Sequence, residues 1–190
     1  MAKFGLERTG KFGGQGGSGF FGLRHRNTAH IRFLYNNASD VEGYAVHVVN
    51  LNGKNRYIDC LCGENENKDR CPLCKAGLRT EVRFFVPVYD EDTGEVLTWD
   101  RGKTFGRRLE SLFAKYATNA PLAATCFTVT REINEEGYPY YTIKPDYCDG
   151  TEVDELPEYG QSIYGRLVLV KTAEEMEDYL LYGDFYDDEY

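Results

Sequence analysis

A mainly β fold, a small barrel of the OB type carrying a zinc-binding insertion, with one interposed helix and an acidic C-terminal tail, is what this 190-residue sequence predicts. Three observations predict it. Short β-rich runs recur with turn signals between them, as in a chain of hairpins. One stretch alone has sustained helical spacing of apolar residues before the last thirty positions. Four cysteines, Cys60-Leu-Cys62 and Cys71-Pro-Leu-Cys74, fall within fifteen residues at metal-ligand spacing.

Taken in order, Gly10–Gly19 (GKFGGQGGSG) is too rich in glycine for a packed element, so 1–19 reads as a flexible basic arm with Lys3, Arg8 and Lys11. Residues 20–171 read as the folded core. Ala29–Tyr35 alternates, with Ile31, Phe33 and Tyr35 on one face and His30, Arg32 and Leu34 on the other. Tyr44–Asn50 is a β-branched run, Asn52-Gly53 a strong hairpin signal, and Asn55–Asp59 the returning strand. Val82–Tyr89 is a strand in which Pro87 predicts an edge or a bulge. Asp92-Thr93-Gly94 turns into a strand over Glu95–Trp99.

Lys103–Ala117 has Phe105, Leu109, Leu112, Phe113 and Tyr116 at helical spacing, with Pro121 soon after its end. Cys126–Ile133 and Tyr140–Lys144 form a further hairpin through Glu135-Glu136-Gly137. Ile163–Lys171 is a last strand. The segment 172–190 reads as an acidic helix, Glu174–Leu181, followed by a solvated tail.

The charge is unevenly divided. The formal net charge is −9, yet 146–190 holds fourteen acidic residues against Arg166 and Lys171, while 1–145 holds twenty basic against seventeen acidic. A basic body with an acidic end suits a polyanion-binding protein with its own counter-charge. No apolar run is long enough to span a membrane and no signal peptide is expected. Clustering of four cysteines at ligand spacing favours reduced thiols over a disulfide framework, with Cys126 read as a small core residue and Cys148 as an incidental thiol.

The Cys-x-x-Cys pair Cys71 and Cys74 places two thiolates of one tight turn on a single ion, and Cys60 joins them from the end of a strand. Zn2+ with sulfur ligands at about 2.3 Å would anchor an otherwise unsupported polar loop, giving a zinc subdomain at about 47–80. Two residues compete for the fourth position. Cys62 is two residues from Cys60 and projects to the same face; His47 lies on the strand that the Asn52-Gly53 hairpin folds alongside. A closed set of four is structural, and no catalytic arrangement is legible: His47 has no neighbouring glutamate, and none of the three histidines has a nucleophile setting. The chain is expected not to be an enzyme.

Aromatic residues lie beside basic ones repeatedly, which suits a groove for single-stranded nucleic acid: bases stack on rings while Arg and Lys follow phosphates. The candidates are Arg32, Tyr35, Arg56, Tyr57, Arg79, Arg83, Phe85, Trp99, Arg101 and Lys103, with Trp99 and Tyr57 the foremost stacking rings. Strands favour aromatics for ordinary packing as well, so a share of these rings is expected in the core.

The ordered series Phe20-Phe21-Gly22-Leu23, Ile31-Arg32-Phe33-Leu34, Ala45-Val46-His47, Arg56-Tyr57-Ile58-Asp59-Cys60, Cys71-Pro-Leu-Cys74, Trp99-Asp100-Arg101-Gly102 and Leu156-Pro157 with the acidic ending resembles the zinc-containing single-stranded DNA-binding proteins of tailed bacteriophages. The resemblance implies an OB-fold with a zinc-bearing insertion and cooperative coating of single strands during replication, recombination and repair in the infected host's cytoplasm. It implies neighbour contacts through the basic arm and contacts to replication and recombination proteins through the acidic C-terminus. Its pattern of one histidine and three cysteines would fall on His47, Cys60, Cys71 and Cys74, with Cys62 an additional thiol. The alternative expectation is a zinc-stabilised acidic interaction module or DNA mimic, acting on a host replication or transcription protein.

Overall fold

The computed structural model describes residues 19–23, 26–35, 40–63, 68–116, 122–146, 156–159 and 163–185. The arm expected over 1–19 therefore lies, but for Gly19, outside the described residues, as does the tail beyond 185. The protein is mainly β. Eight strands form a mixed sheet: β1 (Thr28–Phe33), β2 (Tyr44–Leu51), β3 (Lys54–Asp59), β4 (Thr80–Asp90), β5 (Glu95–Gly102), β6 (Cys126–Ile133), β7 (Pro139–Asp146) and β8 (Val168–Leu169). Among the described residues three α-helices accompany them, α1 (Pro72–Lys75), α2 (Lys103–Tyr116) and α3 (Ala173–Tyr182). The chain divides into two compact units, one drawn from Met1–Glu42 and Phe85–Tyr159, the other from Gly43–Phe84 and Gly160–Tyr190. The strand β4 contributes its first half to the second unit and its second half to the first.

In the first unit, β1 pairs antiparallel with β4 (Ile31 opposite Asp90, Phe33 opposite Val88) and with β6 (Ala29 opposite Val129, Ile31 opposite Phe127). β6 and β7 form a hairpin, and β5 pairs with β4, giving the order β5-β4-β1-β6-β7. The expected alternation in β1 holds, since Ile31 and Phe33 are fully buried. β4 runs on through Pro87, whose carbonyl accepts from Leu34 N at 3.0 Å, and its partners change from β2 before that residue to β1 after it. The helix α2 follows β5 and buries Phe105, Leu109 and Phe113, one stripe at i, i+4 and i+8.

Trp99 sits at the centre of this core with no exposed surface. Phe21, Phe105 and Tyr141 meet it edge-on at centroid distances of 5.0, 4.7 and 5.4 Å, and Phe33 lies nearly parallel at 6.4 Å. Such contacts contribute about 0.5–1.5 kcal/mol each beyond area burial.

In the second unit, β2 and β3 form the hairpin that Asn52-Gly53 predicts. Both turn residues have positive φ (50° and 78°), which the two-residue turn requires and Asn and Gly tolerate. β2 also pairs with the first half of β4, and β3 pairs in parallel with β8. The last strand is shorter than the expected Ile163–Lys171. Gly165, at φ 78°, closes a turn by donating to Val168 O at 2.8 Å, which leaves only Val168–Leu169 to pair.

Two expectations about the ends of the cysteine set and the chain change. Cys126 is buried in the core as expected but is disulfide-bonded rather than reduced; among the described residues Cys60, Cys62, Cys71 and Cys74 are free. The acidic helix is not a detached appendage. α3 buries Met176 completely, and Phe185 beyond it is 3 % exposed, both in the apolar cluster of Val49, Leu51, Ile58, Cys71 and Leu73. Among the described residues no helix is long and apolar enough to cross a membrane.

Candidate metal centre and nucleic-acid surface

The metal candidates are brought together by three elements of the second unit. β2 alternates, and the parity that turns Val49 and Leu51 into the apolar cluster turns His47 the same way. The β2–β3 register sets His47 opposite Ile58, so the end of β3 delivers Cys60 close by. Cys60 N donates to Ala45 O at 2.9 Å, which pins that end. Cys71 precedes the single turn of α1, in extended conformation with Pro72 at the first helical position, and Cys74 follows within the turn. Lys75 N returns to Cys71 O at 3.1 Å and Gly77 N to Cys74 O at 3.0 Å, closing the knuckle.

The donor atoms of His47, Cys60, Cys71 and Cys74 all lie within 4.8 Å of one another. His47 Nε2 is 3.4 Å from both Cys71 Sγ and Cys74 Sγ, and Cys60 Sγ is 3.6 Å from Cys74 Sγ. His47 Nδ1 donates to Arg79 O at 3.2 Å, which fixes the tautomer and leaves the Nε2 lone pair aimed at the thiols. Burial holds the imidazole below its ordinary pKa, against the opposing pull of that hydrogen bond, so it stands neutral and ready to ligate. Burial first, and then its crowded thiol neighbours, push the Cys74 thiol up to about 12. Three thiols and an imidazole gathered in an apolar setting disfavour anions on their own. A divalent cation reverses that balance, because it replaces the protons and neutralises the thiolates. Cys62, the other candidate, is buried in the same apolar cluster but is not one of the four.

The nucleic-acid candidates divide by burial. Trp99 is in the core of the first unit and offers no ring face to a ligand, so its expected stacking role is corrected. Arg32, Tyr35 and Phe85 are likewise buried, at 6 %, 6 % and 4 % exposure. Arg32 pairs with Glu91 and donates to Ala123 O at 3.2 Å, and Tyr35 packs on Phe113 at 5.7 Å. These side chains tie the core together. Arg101 stands with its guanidinium 4.6 Å from the Trp99 ring and 4.3 Å from that of Tyr141, half-buried; Lys103 is exposed at the start of α2.

In the second unit, Arg79 is exposed, while Arg56, Tyr57 and Arg83 are half-buried. Arg56 and Tyr57 do not share a face. Arg56 lies opposite Val49, on the metal side of the sheet, and Tyr57 opposite Val48, on the other. The cation that meets Tyr57 comes across the sheet: Arg83 Cζ lies 5.3 Å from the ring centroid. Arg83 is itself opposite Tyr44, whose ring meets Tyr164 edge-on at 5.3 Å. Tyr44 and Tyr164 were not among the sequence candidates. Their signal was faint, since Tyr164 sits in a segment whose turn is not apparent from local pattern.

The sequence matches no known protein family, and no curated protein shows significant similarity to it.

Proposed function

We propose that this chain is a zinc-stabilised single-stranded DNA-binding protein that coats unpaired strands with little base preference during phage DNA replication, recombination and repair in the host cytoplasm. The observation that carries it is the patch on the far side of the sheet from the metal cluster: Tyr57, Tyr44 and Tyr164 with Arg83 among them. Rings for stacking and a cation for phosphate are the two components a sequence-tolerant single-strand surface requires. Arg79, Arg101 and Lys103 supply further positive charge within their own units.

Zn2+ fits the donor set. Three cysteines and one histidine in a closed, mostly buried arrangement match a structural site, and the orienting carbonyl of Arg79 completes its outer shell. The ion would hold the α1 knuckle to β2 and β3. The first unit supports the OB reading. Its strands run β1, β4, β5, then α2, then β6 and β7, so five strands carry one helix between the third and fourth, and β2 and β3 with α1 interrupt the first connection. Trp99 and Arg101 on β5 contact Tyr141 on β7, a side-chain link between the two outer strands of this order that the OB reading would require. Protein partners in replication and recombination would meet the acidic C-terminus, and the N-terminal arm would support self-association along DNA.

A second reading, the acidic interaction module or DNA mimic, is favoured by one feature: α3 carries Glu174, Glu175, Glu177 and Asp178 with no basic residue. Titrating the zinc-replete protein against labelled oligo-dT at two salt concentrations separates the two. Binding that weakens with salt, and weakens again in Tyr57→Ala and Arg83→Ala, supports DNA coating. Indifference to naked strands at low salt overturns it.

A further inference from the structure

The helix α3 and the metal knuckle α1 meet at Met176 and Cys71, whose thiol faces the Met176 sulfur. Met176, fully buried, places its Sδ 3.8 Å from Cys71 Sγ, and α1 and α3 pack against each other. We infer that ligation at the His47, Cys60, Cys71 and Cys74 cluster and docking of the acidic helix α3 are one coupled equilibrium, with Met176 as the positioning residue between them. The inference rests on the metal reading above.

Neither partner holds itself. α1 is a single turn of four residues, far below the length at which a helix persists alone, and Leu73, between Cys71 and Cys74, is fully buried. α3 has ten residues, also marginal in isolation, and four carboxylates with no basic residue of its own to offset them. Its internal support is local. The Thr172–Glu175 capping box starts it, the left-handed Gly183 ends it, and Lys171 Nζ lies 3.1 Å from Glu175. What fastens it is Met176 on Cys71, together with Phe185, which stacks on Tyr179 at 5.1 Å in the same apolar cluster. Loss of the ion frees the knuckle and so removes the platform on which Met176 sits. By linkage, undocking of α3 weakens ion binding by the same factor by which loss of the ion weakens docking, and removing Met176 shifts α3 toward the undocked state.

The full chain, zinc-replete, is followed by hydrogen exchange before and after removal of Zn2+ with a chelator, and Zn2+ affinity is measured by equilibrium competition with a chromogenic chelator. Zinc removal is expected to deprotect 173–182 while 126–146 of the first unit keeps its protection. Met176→Ala is expected to lower Zn2+ affinity by about 5-fold or more, the lower end of ordinary coupling, and Met176→Leu to restore it. Tight zinc uptake with α3 exchange unchanged by chelation, or with Met176→Ala affinity equal to the parent's, overturns the coupling alone. Deprotection of both units together overturns it as well, since the effect is then global unfolding. No zinc uptake by the parent chain overturns the metal reading beneath it. Should Met176→Ala not fold, the chelation experiment on the parent chain still decides.

Discussion

Arg83 on β4 holds its guanidinium 5.3 Å from the ring of Tyr57 on β3, across the intervening strand β2. The two are 26 positions apart in a sequence where each has a nearer neighbour of the complementary kind. Truncating either is expected to weaken oligo-dT binding, Tyr57→Ala by about 1–3 kcal/mol, with the fold intact. Arg56→Ala, on the opposite face, is expected to have a smaller effect. Fluorescence anisotropy of a labelled oligonucleotide checks the order of the three.

Trp99 behaves oppositely. Because it fills the core, Trp99→Ala is expected to destabilise the first unit by about 3–5 kcal/mol in chemical unfolding. Its indole N–H has no hydrogen-bond partner among the described residues, so Trp99→Phe forfeits no such bond. That variant is expected to retain DNA affinity while losing some stability. Loss of binding without loss of stability would return Trp99 to the surface role that its burial denies.

Two of the four free thiols, Cys71 and Cys62, separate ligation from packing. Cys71→Ser is expected to abolish stoichiometric Zn2+ uptake and to lower the thermal midpoint. Cys62→Ala is expected to keep one Zn2+ per chain, at a cost of about 1 kcal/mol for the buried volume removed. Metal analysis beside a thermal scan reads both.

Glu175 makes the anchoring of α3 sensitive to acid. Its carboxylate accepts from Thr172 N, the main reason its pKa lies below the ordinary value of 4.5, with Lys171 adding to the effect. A depressed folded value means the contribution is complete above the ordinary value and disappears as pH falls through the folded one. Glu175→Gln removes that titration. The parent is therefore expected to lose more C-terminal protection than Glu175→Gln when the two are compared by limited proteolysis on acidification below about pH 4.

Local pattern made most strands and α2 legible. Asn52-Gly53 announced its hairpin because few residues tolerate positive φ, and Phe105, Leu109 and Phe113 announced a helix by spacing alone. The Ile163–Lys171 run misled, since a glycine turn is invisible among β-formers. The metal quartet was nearly readable: cysteine spacing gave three members and the hairpin brought His47 alongside, but only the fold set His47 rather than Cys62 against the other thiols.

What the chain's own order of residues determined is therefore chemical inventory and local geometry: donors fit for zinc, a hairpin, rings and cations in plenty. Only the tertiary structure decided which of those side chains meet. Successive residues of a strand point to opposite faces, so Arg56 could not serve Tyr57 and Arg83 could. Burial, which sums contacts from distant parts of the chain, put Trp99 inside and set Met176 of the acidic end against Cys71.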